Sequence, residues 1–176
     1  METAFATTEE KSKTLPCDDL VRNPFVASTH GITILSPPNK IWPWLVQMGQ
    51  GRAGFYSYTF FENLLGCQMR NANEICPQLQ SIQIGQPIPI HPKFNPLFVK
   101  EFEQNQQLIL WQQRPFLWTW AFYLGMMDSD STRLLVRSRM AYPGPWAAVP
   151  VYAMMKFGHY IMERKLLIEV KKRAEK

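Results

Sequence analysis

A chain of 176 residues, 46% hydrophobic and 19% charged, is long enough for one domain with its own core and too balanced for a disordered or fibrous protein. The net charge of +5 comes without a nucleic-acid-binding motif, and its basic residues gather at the end of the chain (Arg164, Lys165, Lys171, Lys172, Arg173, Lys176), where they complement a helix dipole, so nucleic acid is not an expected partner. Cys17, Cys67 and Cys76 lack C-x-x-C spacing; this argues against a disulfide framework or a zinc site and points to a reducing, cytoplasmic compartment.

Residues 1–27 carry Glu2, Glu9 and Glu10 and have no apolar core of signal-peptide length, so they read as a flexible tail ahead of a single domain over 28–176. Ile32 and Ile34 alternate with Thr33 in a strand that ends at Ser36-Pro37-Pro38, with Ser36 as the expected N-cap and Pro37 as the first residue of a helix. That helix carries Ile41, Trp42, Leu45 and Met48 at helical spacing, is disturbed by Pro43, and stops at Gly49 and Gly51. A second helix is predicted over 55–65, closed by Gly66, with Tyr58, Phe61, Glu62 and Leu65 on one face. After a loop at 67–81, Ile88 and Ile90 alternate with prolines as an edge strand. Apolar runs at 97–102, 108–112, 116–126 and 132–142, joined by short polar turns, describe an antiparallel meander.

The last element is a helix predicted to begin between Trp146 and Val151 and to run to about Arg173, with Val151, Met154, Met155, Gly158, Met162 and Leu166 as its apolar stripe. Residues 140–155 carry no charge, but Pro143, Pro145 and Pro150 argue for a buried helix rather than a membrane span. The basic segment that follows keeps peripheral contact with an anionic membrane surface as an alternative.

Gly31–Pro38, the aromatic and glycine-rich segment Trp42–Tyr58, the Thr132–Arg139 strand and the long last helix together resemble the SRPBCC superfamily, also called START-like, Bet v 1-like or polyketide-cyclase-like, over about residues 30–173. The resemblance implies an α+β helix-grip fold, a curved antiparallel sheet wrapped around a long C-terminal helix. It also implies an internal cavity for a hydrophobic small molecule such as a lipid, an isoprenoid or a polyketide-like compound.

Alternation places Trp118, Trp120, Phe122 and Leu124 on one face of their strand, either as core filling or as the wall of such a cavity, with Met154, Met155 and Met162 opposite. Arg52, Tyr56, Tyr58 and Glu62 are the expected polar contacts; the match of Gln47–Tyr58 to one branch of the superfamily singles this segment out. Arg52 has a second reading, as a tie to Glu62 or to loop carbonyls. Arg133, Arg137 and Arg139 share the opposite face of their strand from its apolar residues and should point outward, to solvent or to paired carboxylates. His30, His91 and His159 are far apart in sequence, so no metal is expected, and no cofactor motif is present. His159 reads as a satisfied core residue or, with Glu62, as an acid/base in a cyclase- or dehydratase-like enzyme. A membrane-surface or protein-interaction module is the third reading.

Overall fold

In the computed structural model, residues 4–176 are described apart from Leu65 and the side chains of Trp146, Val151, Met154 and Met155. Six strands, β1 (Val26–Ile34), β2 (Pro87–Ile88), β3 (Leu97–Glu103), β4 (Gln107–Gln112), β5 (Trp118–Met126) and β6 (Thr132–Met140), form one antiparallel sheet in the order β1-β6-β5-β4-β3-β2. The meander β2 to β6 is the one expected from the polar turns. β1 closes on β6 over its full length, from Val26 opposite Met140 to Ile34 opposite Thr132. A bulge between Val99 and Glu101 breaks the β3–β4 register, a device that bends a strand and adds twist.

Helices α1 (Thr8–Ser12), α2 (Pro38–Val46) and α3 (Thr59–Leu64) precede β2. α2 starts at Pro38 rather than Pro37, because a residue before proline is pushed out of the helical region; Pro37 is the extended cap residue (φ −69°, ψ 157°). Ser36 does not cap the helix, and its carbonyl instead accepts from Thr132 Oγ1 at 2.7 Å. α3 starts at Thr59 rather than 55, because the turn before it is left-handed at Gly54 (φ 75°) and Tyr56 (φ 55°). A side chain at Gly54 would place its Cβ 2.3 Å from Asn71 Oδ1, the atom that accepts the Tyr56 N–H at 2.8 Å.

The last helical run is α4 (Pro145–Ala153), a π-helical stretch (Met154–His159) and α5 (Tyr160–Ala174), with helical backbone at both junctions. It begins at Pro145, just ahead of the expected start, since proline suits the first turn of a helix. Among the described residues no helix is long and apolar enough to cross a membrane. α5 lies on the concave face of the sheet. Leu166, Leu167, Val170 and Ala174 are buried there with Phe122, Leu134 and Val136 of the sheet and Ile41 and Leu45 of α2. Full burial of each such aliphatic side chain contributes about 1.5–3 kcal/mol.

Residues 4–22, expected as a flexible tail, instead form a strap across the convex face. The reason lies on β6, where three arginines do point outward and need partners. Arg133 pairs with Glu10 (2.7 Å); Arg137 (2.7 Å) and Arg139 (3.3 Å) share Asp18. Arg137 also donates to the carbonyls of Lys13 and Glu10, and Arg139 to that of Val21. Thr7 and Glu10 cap α1 reciprocally. Leu15 and Cys17 bury themselves against Ile109 and Ala121, and the Cys17 N–H donates to Tyr123 Oη at 3.0 Å.

Candidate functional site

Alternation along β5 sets Trp118, Trp120 and Phe122 on the concave face, beneath the start of α5. Their rings pack in series: Trp118 on Trp120 with centroids 6.4 Å apart, Trp120 on Phe122 at 5.0 Å, and Phe55 against Trp120 at 5.5 Å. The His159 ring meets Trp118 and Trp120 edge-on at 5.9 and 5.5 Å. The Trp118 indole N–H donates to Ser138 Oγ at 2.8 Å, and the Trp120 indole N–H to Glu163 Oε1 at 2.7 Å.

Glu163, 2% exposed, is the hub of the site. Its Oε2 is hydrogen-bonded to His30 Nδ1 from β1 and lies 3.8 Å from His159 Nδ1. One buried carboxyl therefore joins β1, β5 and the last helix. His159 and Glu163 share a helix face by their four-residue spacing, just where the π-helical stretch ends, and π-turns recur at functional sites.

Two buried titratable groups are left over. Neither ring nitrogen of His159 has a hydrogen-bond partner, and burial holds its pKa below the ordinary imidazole range against the opposing pull of Glu163. Neither carboxyl oxygen of Glu62, which is 1% exposed, has a partner either, and burial pushes its pKa up to about 7. Buried polar groups in native proteins are almost always paired, so two unpaired ones mark places where a ligand can supply the missing partner.

The remaining expected site residues sit elsewhere. Arg52 donates to the carbonyls of Met48 and Val46 (both 3.0 Å) and of Leu79 (3.4 Å), so it staples loops rather than binding Glu62. Tyr56 is fully buried, donates to the Trp44 carbonyl at 3.0 Å and accepts from Gln47 at 2.9 Å; burial pushes its phenol up to about 12. Tyr58 is 40% exposed, on the surface beside Phe61 and Lys165. Met162 is half-buried, and its carbonyl accepts from Ser57 Oγ. The side chains of Met154 and Met155 lie outside the described residues.

The structure thus gathers Trp118, Trp120, Phe122 and His159 and adds His30 and Glu163, which the sequence reading passed over. Sequence distance hid the convergence of His30 and His159, although alternation with Ile32 and Ile34 already turned His30 inward. Glu163 was visible as a lone acid between Met162 and Leu166 on the apolar stripe. Among the described residues, no group of three histidine, cysteine or acidic side chains is arranged to hold a metal ion. Among the described residues, open clefts include one of about 450 Å³ beside β1 and one of about 500 Å³ at the ends of β3 and β4. Neither is lined by the expected cavity wall of Trp118, Trp120 and Phe122, whose rings close on one another.

Strand order, register and the last helix in the grip of the sheet define a helix-grip fold, and this chain has that fold. Among solved structures, it is similar to the hypothetical protein jhp0584 from Helicobacter pylori, with 15% identity, 96% of this chain and 99% of that one covered, and a TM-score of 0.55. Protein MLL2253 from Mesorhizobium loti matches at 18% identity over 84% of this chain and 96% of its own, with a TM-score of 0.48. The Zhui aromatase/cyclase from Streptomyces sp. R1128 matches at 13% identity over 85% and 93%, with a TM-score of 0.47. No protein-family model matches the chain, and no curated protein matches it. The likeness to jhp0584 speaks to the fold alone.

Proposed function

We propose that this protein binds a hydrophobic small molecule bearing at least one hydroxyl or carbonyl group, such as a lipid, an isoprenoid or a polyketide-like compound, between the concave face of the sheet and the last helix. The observation that carries the reading is the pair of buried groups without hydrogen-bond partners, the ring nitrogens of His159 and the Glu62 carboxyl. The aromatic series around Trp120 supplies apolar contact area, and His159, neutral at pH 7, offers one donor and one acceptor. Pro150 in α4 and the π-helical stretch after it interrupt the hydrogen-bond ladder of the last helical run just ahead of Glu163. The free cysteines Cys17, Cys67 and Cys76 suit a reducing, cytoplasmic setting.

A second reading rests on one observation. A carboxyl with a pKa of about 7 is tuned for proton transfer near neutral pH, so Glu62 suits a general acid/base of a cyclase- or dehydratase-like reaction. Membrane attachment through the basic helix end is not favoured, because Lys171, Lys172 and Arg173 pair with Glu169 of α5 and with Glu175 just past its end.

Titration of the full chain with Nile red, a neutral apolar carbonyl dye, tests the binding reading. Saturable one-to-one binding that quenches tryptophan emission is the expected result, with affinity lowered in His159→Leu. Non-saturating fluorescence, or binding indifferent to His159→Leu, counts against it. For the second reading, Glu62→Gln keeps dye binding while abolishing any turnover found with a polyketide-like substrate; turnover that survives the substitution removes Glu62 from the chemistry.

A further inference from the structure

The sheet has two edges, β1 and the short β2, and the last helix treats the two ends of the β1 edge differently. At the far end the edge is covered: Lys171 Nζ donates to the Thr33 carbonyl at 2.9 Å, and the Leu35 N–H donates to Glu175 Oε1 at 2.6 Å. At the near end, residues 26–30 instead form the floor of the open cleft of about 450 Å³. One wall is the N-terminal strap, with Phe5 and Lys11; the other is the last helix, with Lys156 and Tyr160.

Three cations meet at this cleft. Lys11 and Lys156 line it and are exposed, and the Arg164 guanidinium lies over the rings of Phe5 (4.4 Å) and Tyr160 (5.6 Å), which form its apolar sides. Among the described residues no carboxylate stands within ion-pair distance of any of the three. This contrasts with Arg133, Arg137, Arg139 and Arg173, each of which has its acid. Two buried polar atoms at the same place also lack hydrogen-bond partners: Ser28 Oγ on the floor and Arg164 Nε behind the wall. Unpaired cations around a hydroxyl without a partner, with aromatic sides, form a receptor for an oxyanion carried on a small apolar body.

We propose that the cleft between the N-terminal strap and the last helix binds a small organic oxyanion, a phosphate monoester or a carboxylate, through Lys11, Lys156 and the Ser28 hydroxyl, with Arg164 adding charge from behind. The cleft touches the concave-face network at His30, which lies on its floor and bonds to Glu163, but the anion site uses neither Glu62 nor His159. It gives the strap a function beyond covering the convex face, because Lys11 reaches the cleft only while residues 4–22 are clamped to β6.

The test is an amide NMR titration of the full chain with phenyl phosphate, benzoate and the neutral benzyl alcohol. Saturable shifts at residues 26–30 with the two anions, absent with benzyl alcohol, are expected. Lys11→Gln and Lys156→Gln, both exposed changes that leave the fold intact, should each weaken the anions about fivefold or more. Tighter binding of phenyl phosphate than of benzoate assigns a phosphate monoester, and the reverse a carboxylate. Anions that give no saturable shift, that bind no better than benzyl alcohol, or that bind both lysine variants as tightly as the parent protein overturn the proposal.

Discussion

Replacing Glu62 by glutamine should raise the protein's stability relative to the parent as pH goes from acid to alkaline, by an amount set by the burial of the carboxyl. In the folded state burial lifts the Glu62 carboxyl from an ordinary 4.5 to about 7, with no partner to oppose the shift. The folded protein therefore holds this proton more tightly than the unfolded chain. Its contribution to stability is complete below pH 4.5, declines as pH rises towards 7, and is then constant. A shift of this size corresponds to about 3 kcal/mol over the whole range and roughly 2–3 kcal/mol between pH 5 and pH 8. Glutamine cannot ionise, so its own cost, an amide left without partners, is the same at both pH values. Urea unfolding of parent and Glu62→Gln near pH 5 and pH 8 measures the difference directly, and the other titrating groups cancel because both proteins carry them. The stability of the variant relative to the parent should rise by roughly 2–3 kcal/mol between those pH values. An unchanged difference, or a parent that gains on the variant at pH 8, would mean that the carboxylate has a partner and that the site reasoning fails.

Arg137, 3% exposed, ties the strap to the sheet through Asp18 and the carbonyls of Lys13 and Glu10, so Arg137→Ala leaves those carbonyls without their donor and Asp18 with Arg139 as its remaining cation. It should cost about 2–3 kcal/mol in urea unfolding and open residues 4–22 to limited proteolysis; a loss under about 1 kcal/mol would contradict the clamp. Trp120→Phe keeps most of the aromatic area but removes the donor to Glu163 Oε1. A loss of about 1–3 kcal/mol is expected, and an unchanged unfolding midpoint would show that Glu163 finds another donor at no cost.

Much of the sheet was legible because alternation is a local signal. The inward set Trp118, Trp120 and Phe122 and the outward set Arg133, Arg137 and Arg139 both follow from a period of two. The strap was not legible, because a polar segment without periodicity acquires order only from arginines more than a hundred residues away. The starts of α2 and α3 slipped for backbone reasons: a Pro-Pro pair at one, and a left-handed turn at Gly54 and Tyr56 before the other. Glu62 and His159 were legible as titratable residues on apolar faces. Their lack of partners was not, since it depends on every neighbour that tertiary packing brings. Arg52 and Tyr56 stood out for the right local reason and serve the backbone: side chains costly to bury sit there because the last turn of α2 needs its carbonyls satisfied.

The most direct test of a ligand-binding interior is native mass spectrometry of the freshly purified full chain, followed by organic extraction of whatever accompanies it. The account predicts a reproducible apolar adduct of one molecule per chain that carries a hydroxyl or carbonyl group and is depleted in His159→Leu. A bare chain mass, together with no thermal stabilisation by a panel of lipids and polyketide-like compounds, would contradict it and leave Glu62 and His159 as buried groups that the fold simply tolerates.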